Sequence, residues 1–420
     1  MLNVLRTITP KFLLSWYHFL WALLGALVYR FPAQGMVIVG VTGTNGKSTT
    51  VDMISRIFKE AGLDSASLSS VRFQIRDKEW RNKMKMTMPG RFAVQRFFRQ
   101  ARDSGCTHVV LEVTSEGMLQ HRHGFLNFHT AVFTNLSPEH IERHGSFEKY
   151  KQTKGKLFQS VKKVHVINVD DERAEYFLQF PAEKLYTYGI SPKSSLGTMH
   201  IQGKEVKEDE KLEFQVESTK FSLGLLGSFN VYNALAAIAA ARSQGISLEV
   251  CKKALEQMKV VPGRMEKVVS VPFSVVVDYA FTPAALEKVY KTLKPSQGKL
   301  VCVLGAAGGG RDSWKRPVLG KIASAHCDNV IVTNEDPYEE DPEKIINEVL
   351  LGAKERGQKI LDRREAIREA LLLAKPGGAV VITGKGSEDS IAVKDGKKIP
   401  WDDREVVREE WTKLKEHGKL

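Results

Sequence analysis

The chain of 420 residues is 42% hydrophobic and 26% charged, longer than one ordinary domain and apolar enough for two or three cores. Its formal net charge of +13 suits anionic partners such as nucleotides, phosphorylated substrates or an acidic membrane face. No RNA-binding motif or long Lys/Arg block points to nucleic acid.

In chain order, the first element is an apolar run. From Phe12 to Tyr29 there is no Asp, Glu, Lys or Arg, and Arg6, Lys11 and Arg30 flank it. That span is at the short edge of a membrane-crossing helix. No small-x-small cleavage site follows, which speaks against a removed signal peptide. Trp16, Tyr17, Trp21 and Tyr29 favour a membrane interface. The sequence therefore predicts an interfacial or spanning membrane helix, with a helix packed on the protein's own core or on a partner as the other reading.

After Pro32, short apolar runs alternate with amphipathic helices, the pattern of an α/β fold. Strands are expected at 36–41, 108–113, 130–134 and 164–168, with helices such as 48–61 and 91–103 between them. Residues 186–226 read as short β segments joined by polar turns. An alanine-rich helix follows from about Ser228, with Gly245 as its stop. VPGR, 261–264, marks a boundary. A second α/β unit then has strands near 274–278, 299–304, 329–332 and 379–382, and a last helix from about Asp402. The scattered Cys106, Cys251, Cys302 and Cys327 form no CxxC pair, so neither a disulfide framework nor a zinc site is expected, and a reducing cytoplasm is.

The stretch VIVGVTGTNGKSTT, 37–50, reads as strand, glycine loop and helix start. A strict Walker A motif would have glycine at position 41, where this chain has Val41. Gly43 and Gly46 allow a tight turn and close backbone approach to oxyanions. Lys47 can reach the β- and γ-phosphates, Ser48 can join a Mg²⁺ shell, and the helix points its positive end at the phosphates. Glu112 ends an apolar strand, where a carboxylate is placed to hold Mg²⁺, and His140 follows another strand. Asn230 and Asn233 open the alanine-rich helix, where capping explains one asparagine better than two.

GVTGTNGKSTT resembles the nucleotide loop of the Mur ligases, ATP-dependent amide-bond-forming enzymes of peptidoglycan precursor synthesis. LEVTSEG (111–117), TNLSPEHIERHGSFEKYKQTKGKLF (134–158), LGSFNVYNALAA (226–237), VPGRME (261–266), VDYAFTPAALE (277–287) and GGGRDSWKRPVLG (308–320) match further family segments in order. The last three resemble the branch that adds a diamino acid to a muramyl dipeptide. The resemblance implies a central P-loop ATPase-type domain with a mostly parallel sheet (36–262), a smaller Rossmann-like α/β domain (263–420), and residues 1–35 as an N-terminal helix in place of the family's UDP-binding domain.

It also implies roles. Lys47, Lys154 and Arg264 would be catalytic. Gly43, Thr44, Asn45, Gly46, Lys47, Ser48, Thr49, Asn230, Asn233, Arg264 and Asp278 would bind ATP. Ser48, Glu112, His140 and a carbamoylated Lys154 would hold Mg²⁺, as two ions. Thr87, in TMPGRFAVQ, with Thr114, Ser115, Arg311, Asp336, Tyr338 and Glu388, would meet substrate. ATP's γ-phosphoryl would pass to a carboxylate and an amine would displace phosphate, with closure of the C-terminal domain excluding water.

Departures from the family pattern narrow the expectation. Diaminopimelate-adding members carry D-N-P-R, whereas this chain has TNEDPYEED (333–341), with Tyr338 at the arginine position. A phenol cannot make a bidentate charged fork. GKGSED (384–389) has Ser387 where the family has histidine and keeps Glu388 to meet an ammonium; Phe281 also stands where the family often has histidine. The expected amine is a diamino acid that need not be diaminopimelate. The expected acceptor is a muramyl-type peptide, and the expected location is cytoplasmic, peripheral to the inner membrane face through residues 12–29. The alternatives are a folylpolyglutamate-synthase-like ligase and a non-catalytic membrane-associated nucleotide-binding subunit.

Overall fold

The computed structural model describes residues 10–84, 86–192, 199–209 and 211–419. They form two compact units. One takes the chain up to Leu136 together with Glu148–Gly224 and Asn230–Met258; the other takes Ser137–Phe147, Leu225–Phe229 and everything from Lys259 on. Helices of two turns or more are numbered.

The first unit is built on an eleven-stranded sheet in the order β11-β10-β9-β8-β7-β6-β1-β5-β2-β3-β4. Its centre is β1 (Val37–Thr42), paired in parallel with β5 (His108–Glu112) and β6 (Thr130–Phe133). β2 (Ser65–Leu68), β7 (Val164–Asn168), β8 (Lys184–Gly189) and β9 (Met199–Glu208) extend the parallel run. β3 (Arg72–Ile75) and β4 (Lys78–Arg81) close one end antiparallel, and β10 (Leu212–Val216) and β11 (Thr219–Leu223) the other. β1 is apolar along almost its whole length because both faces are covered, as parallel sheets require.

Four helices of this unit matter for the site. Helix α1 is Lys11–Val28, α2 Lys47–Glu60, α3 Arg91–Asp103 and α4 Phe147–Ser160. Helix α5 (Phe229–Arg242) is buried from Val231 to Ala241 apart from Tyr232. Its alanines leave no polar face, so it sits inside the unit rather than on it.

Helix α1 departs from the spanning reading: no helix among the described residues is long and apolar enough to cross a membrane. One side is packed on its own chain. Ala22 and Ala26 are buried, and Gly25 lies against the α3 backbone at Phe92. Trp21 meets Phe92 at 5.6 Å between ring centroids, Phe19 meets Phe125 at 5.6 Å, and Ser15 bonds His121 at 2.9 Å. Small residues at 22, 25 and 26 follow helical spacing, which lets α3 approach closely.

The second unit holds a six-stranded sheet in the order β12-β13-β17-β14-β15-β16. β13 (Ser274–Val277), β14 (Leu300–Leu304), β15 (Asn329–Val332), β16 (Gly357–Lys359) and β17 (Ala379–Ile382) are parallel, and β12 (Glu266–Val269) is an antiparallel edge. Alternate residues face two cores. Val276, Cys302, Leu304 and Val381 pack with Leu286, Leu319 and Val349. Val275, Val277, Val303 and Ile382 pack with Ile367, Leu371 and Val407. The covering helices α7 (Pro283–Leu293), α8 (Lys315–His326) and α9 (Pro342–Ala353) lie on the first face, and α10 (Arg363–Leu373) and α11 (Asp403–Glu416) on the second; α6 (Leu248–Glu256) belongs to the first unit. The expectation of no disulfide is corrected here: Cys302 on β14 is bonded to Cys327 just past α8, 25 residues on. Cys106 and Cys251 are free and buried.

Candidate active site

In the first unit the glycine loop leaves β1 and enters α2 through Gly46, whose left-handed φ of 82° makes it the helix cap. A Cβ at position 46 would come within 2.3 Å of Asn233 Oδ1, so glycine there lets α5 touch the loop. Asn233 donates to Asn230 Oδ1 at 2.8 Å and is itself buried. The paired asparagines are thus a braced unit against the loop rather than two surface caps.

The loop is held from the end of β6 as well. Thr44 N donates to Asn135 O, Asn45 N donates to Asn135 Oδ1, and Thr134 Oγ1 donates to Asn45 O. Tyr150 on α4 bonds Thr44 Oγ1 at 3.2 Å. Asn135 and Tyr150 were not singled out from sequence, although both lie within the quoted 134–158 segment.

At the loop's exit, Ser48 Oγ donates to Glu112 Oε2 at 2.9 Å, and Ser70 N donates to the same oxygen at 3.0 Å. Lys47 Nζ is 3.7 Å from Glu112 Oε1 and donates to Thr44 O at 2.9 Å. Thr49 is buried one residue further on. A buried carboxylate beside a hydroxyl is a hard-oxygen donor set that fits Mg²⁺. Lys154, on α4, is fully buried and donates to Gly43 O at 2.7 Å. Its pKa lies well below the usual lysine range, because burial disfavours the cation, Lys47 repels it, and Glu112 only partly offsets this. A lysine shifted in this direction gives up its proton more readily, and the neutral amine is the form able to add CO₂.

Thr87 lies on the loop that leads into α3. The adjacent Met88 packs its sulfur on Gly117, Arg122 donates to Met88 O, and Thr114 Oγ1 caps the Ser115–Leu119 turn from Gly117 N at 3.0 Å. Thr87, Thr114 and Ser115 thus belong to one neighbourhood built around Met88.

In the second unit the segment carrying His140 is fixed by the GGGRDSWKRP loop. Asp312 accepts from Ile141 N and Glu142 N, Ser313 donates to Glu142, and Lys315 Nζ donates to buried Glu139 at 2.6 Å. His140 has a left-handed φ of 56° at the start of the Ile141–His144 turn. Asp312 and Lys315 are positioning residues that sequence reading missed, because their partners lie about 170 residues away.

The loops after β13, β14, β15 and β17 leave the carboxyl ends of parallel strands, the usual ligand position in such sheets. Arg264 stacks over Tyr279, 4.3 Å from the ring centroid. Asp278 accepts from Met265 N and Ala280 N at 2.7 and 2.6 Å, so it pins the loop on either side of it. Gly263 has φ 63°, and a Cβ there would reach within 2.0 Å of Ser387 N.

Lys385 is completely buried, donating to Asp336 at 2.9 Å and to Glu388. Burial pulls its pKa down, but the two carboxylates outweigh it and the ammonium persists. Glu388 also accepts from Tyr279 OH at 3.2 Å. Glu388, expected to meet a substrate ammonium, thus also has the chain's own lysine beside it. Asp336 also accepts from Ala392 N, and Tyr338, at φ 52°, lays its ring on Gly309. Arg311 stays charged because the surrounding phenols and carboxylates outweigh its burial.

Glu335, one residue before Asp336, is the further site residue the sequence reading passed over. It is buried, its Oε2 has no hydrogen-bond partner, and burial pushes its pKa to about 7.

A phosphate-type loop on a parallel sheet, with a lysine and a strand-end carboxylate beside it, belongs to the enzymes that spend nucleoside triphosphates. The family descriptions "Mur ligase middle domain" and "Mur ligase, glutamate ligase domain" match residues 41–241 and 263–386. The chain is 38% identical, over 403 residues, to UDP-N-acetylmuramoyl-L-alanyl-D-glutamate--2,6-diaminopimelate ligase of Syntrophomonas wolfei subsp. wolfei, covering 92% of this chain and 81% of the relative. A solved structure of a ligase of that same name is 30% identical, with a TM-score of 0.60, covering 91% of this chain and 80% of the other. The Mycobacterium tuberculosis folylpolyglutamate synthase complexed with ADP and AMPPCP shares the fold, at a TM-score of 0.71 and 18% identity over 87% of this chain and 92% of its own. The chain belongs to the Mur ligase family, and it is an ATP-dependent ligase that forms carbon–nitrogen bonds.

Proposed function

We propose that the enzyme adds an amino acid bearing a second amino group to a muramyl-peptide-type acceptor, through an acyl phosphate. The carrying observation is the Ser48–Glu112 hydrogen bond beside Lys47, a set suited to activating a carboxylate with ATP. In this reading 36–262 and 263–420 are the catalytic domains. Thr44, Asn45, Thr49, the braced Asn230 and Asn233, Asp278 and the backbone of Gly43 and Gly46 take part in ATP binding. Lys47 and Arg264 stabilise charge on the γ-phosphoryl group.

Ser48 and Glu112 would hold one Mg²⁺, and His140 is the donor assigned to a second. Carbamoylation of Lys154 would turn its amine into an oxygen donor. Bound Mg²⁺ supplies charge neutralisation at phosphate oxygens. A carboxylate oxygen of the acceptor attacks the γ-phosphorus and ADP leaves. The amine then attacks the carbonyl carbon, the carbon–oxygen bond to phosphate breaks, and the amine's proton is lost.

Thr87, Thr114 and Ser115 meet the acceptor. Arg311 reads the amino acid's carboxylate, and Glu335, flanked by Asp336, Tyr338 and Glu388, accepts its distal ammonium. With no arginine at 338, that distal end need carry no second carboxylate. The reaction is placed on the cytoplasmic side of a membrane, where ATP is available. A phosphate-release assay with a panel of amines, read out with mass spectrometry of the product, tests this. Turnover of lysine-like amines is expected. Exclusive turnover of diaminopimelate overturns the amine reading, and phosphate release with no amine in the panel overturns the ligase assignment to this acceptor.

A further inference from the structure

Helix α1 has two unlike sides. The side packed on its own chain holds Ser15, His18, Ala22, Gly25 and Ala26, small or polar residues that meet His121 or α3 or are buried. The other side is apolar and bare. Phe12, Trp16, Leu20, Leu24 and Leu27 recur every four or three residues and are between 45% and 65% exposed. Ten of the twenty exposed large hydrophobics among the described residues fall on this one helix of 18 residues. A patch of this density is not explained by ordinary surface composition.

The elements that α1 is fastened to are rich in positive charge. From Lys78 to Asp103 the sequence has eight Lys or Arg against two acids, Glu79 and Asp103. Arg91 bonds His18 of α1, and Arg102 donates to Pro32 O just past its end. The loop between β4 and α3 adds exposed Met84 and Met86. Aromatic and aliphatic residues on a helix that cannot span, beside a basic stretch, are the features that seat a helix in the headgroup layer of an anionic membrane.

We propose that the outer face of α1, with the basic β4–α3 stretch, docks on an anionic lipid bilayer, and that docking presents the acceptor loop to acceptors carried in that bilayer. The link to the site is short. Arg91, which bonds α1 through His18 and also donates to Gln120 O at 2.8 Å, lies four residues after Thr87. The lipid partner stands on α1 and the basic stretch beside it, and only the consequence for the acceptor rests on the ligase reading.

The test uses the full chain with two sets of vesicles, phosphatidylcholine alone and phosphatidylcholine with phosphatidylglycerol. Co-sedimentation is expected to be at least about tenfold tighter on the anionic set, to fall as salt is raised, and to shift tryptophan emission to the blue. Leu20→Glu and Leu24→Glu are expected to lose about tenfold or more of that binding, while phosphate release in vesicle-free solution stays unchanged. Arg96→Glu is expected to weaken binding to the anionic vesicles only. No vesicle binding, or equal binding by Leu20→Glu, overturns the proposal. So does a dimer in analytical ultracentrifugation that Leu20→Glu dissolves, since a second copy would then cover the face. Vesicle-free phosphate release reports on the ligase reading independently of all these outcomes.

Discussion

Each unit buries a lysine, and the pKa values of the two are pushed in opposite directions. Lys154 has a carbonyl for a partner and a cation, Lys47, for a neighbour, so burial drives it toward the neutral amine. Lys385 has Asp336 and Glu388 within reach, and burial loses to their combined charge. Burial alone therefore says nothing about the charge of a lysine; the partners decide it. The first unit thus holds a lysine whose ammonium is disfavoured, and the second a lysine locked into an ion cluster.

Paired substitutions would sharpen that contrast. Lys385→Met takes the shared cation from buried Asp336 and part-buried Glu388 and is expected to cost about 3–5 kcal/mol in chemical unfolding. Lys154→Met removes a desolvated amine and leaves one unpaired carbonyl, so stability should change by no more than about 1 kcal/mol while turnover is lost. Equal destabilisation by the two would break the comparison. Next in size, Lys47→Ala should lower kcat by about 10²–10³-fold with the unfolding midpoint little changed, as loss of a charge-stabilising donor does. Breaking the Cys302–Cys327 bond by Cys327→Ser should lower stability by about 3 kcal/mol, given the loop it closes.

The smallest effect concerns pH. Glu335 is raised to about 7 in the folded protein, while an unfolded glutamate ionises near ~4.3. Between those values the unfolded chain gives up its proton and the folded chain keeps it, so the residue's contribution to stability falls as pH rises through that window. Glu335→Gln should flatten the loss, visible as a shallower slope of unfolding free energy against pH. With the amine reading in hand, the wild-type KM for the amine should also fall as pH rises past about 7, where the carboxylate becomes charged.

Much of this was legible in the sequence. The apolar runs at 108–113 and 164–168 could only be buried strands, and Gly-Lys-Ser after a strand announced the phosphate loop. The families of contacts that could not be read share one property, long separation. Lys315 finds Glu139, Asp312 finds Ile141, and Cys302 finds Cys327 only once the second sheet has formed. Helix α1 was ambiguous for another reason. An apolar helix looks alike whether its partner is lipid or protein, and the one discriminating signal was the run of small residues at 22, 25 and 26. Glu335 and Lys385 lay inside motifs already quoted, but their states depend on burial that no spacing reveals.

The close approach of Gly263 to the backbone at Ser387 gives the chain an unusual economy. The link by which the polypeptide enters its last domain also forms a wall of the loop that carries Lys385 and Glu388. Any side chain grafted at 263 would push directly on that loop. A change at the entry to the last domain would then be felt at the ion cluster, so the two segments are not free to evolve apart.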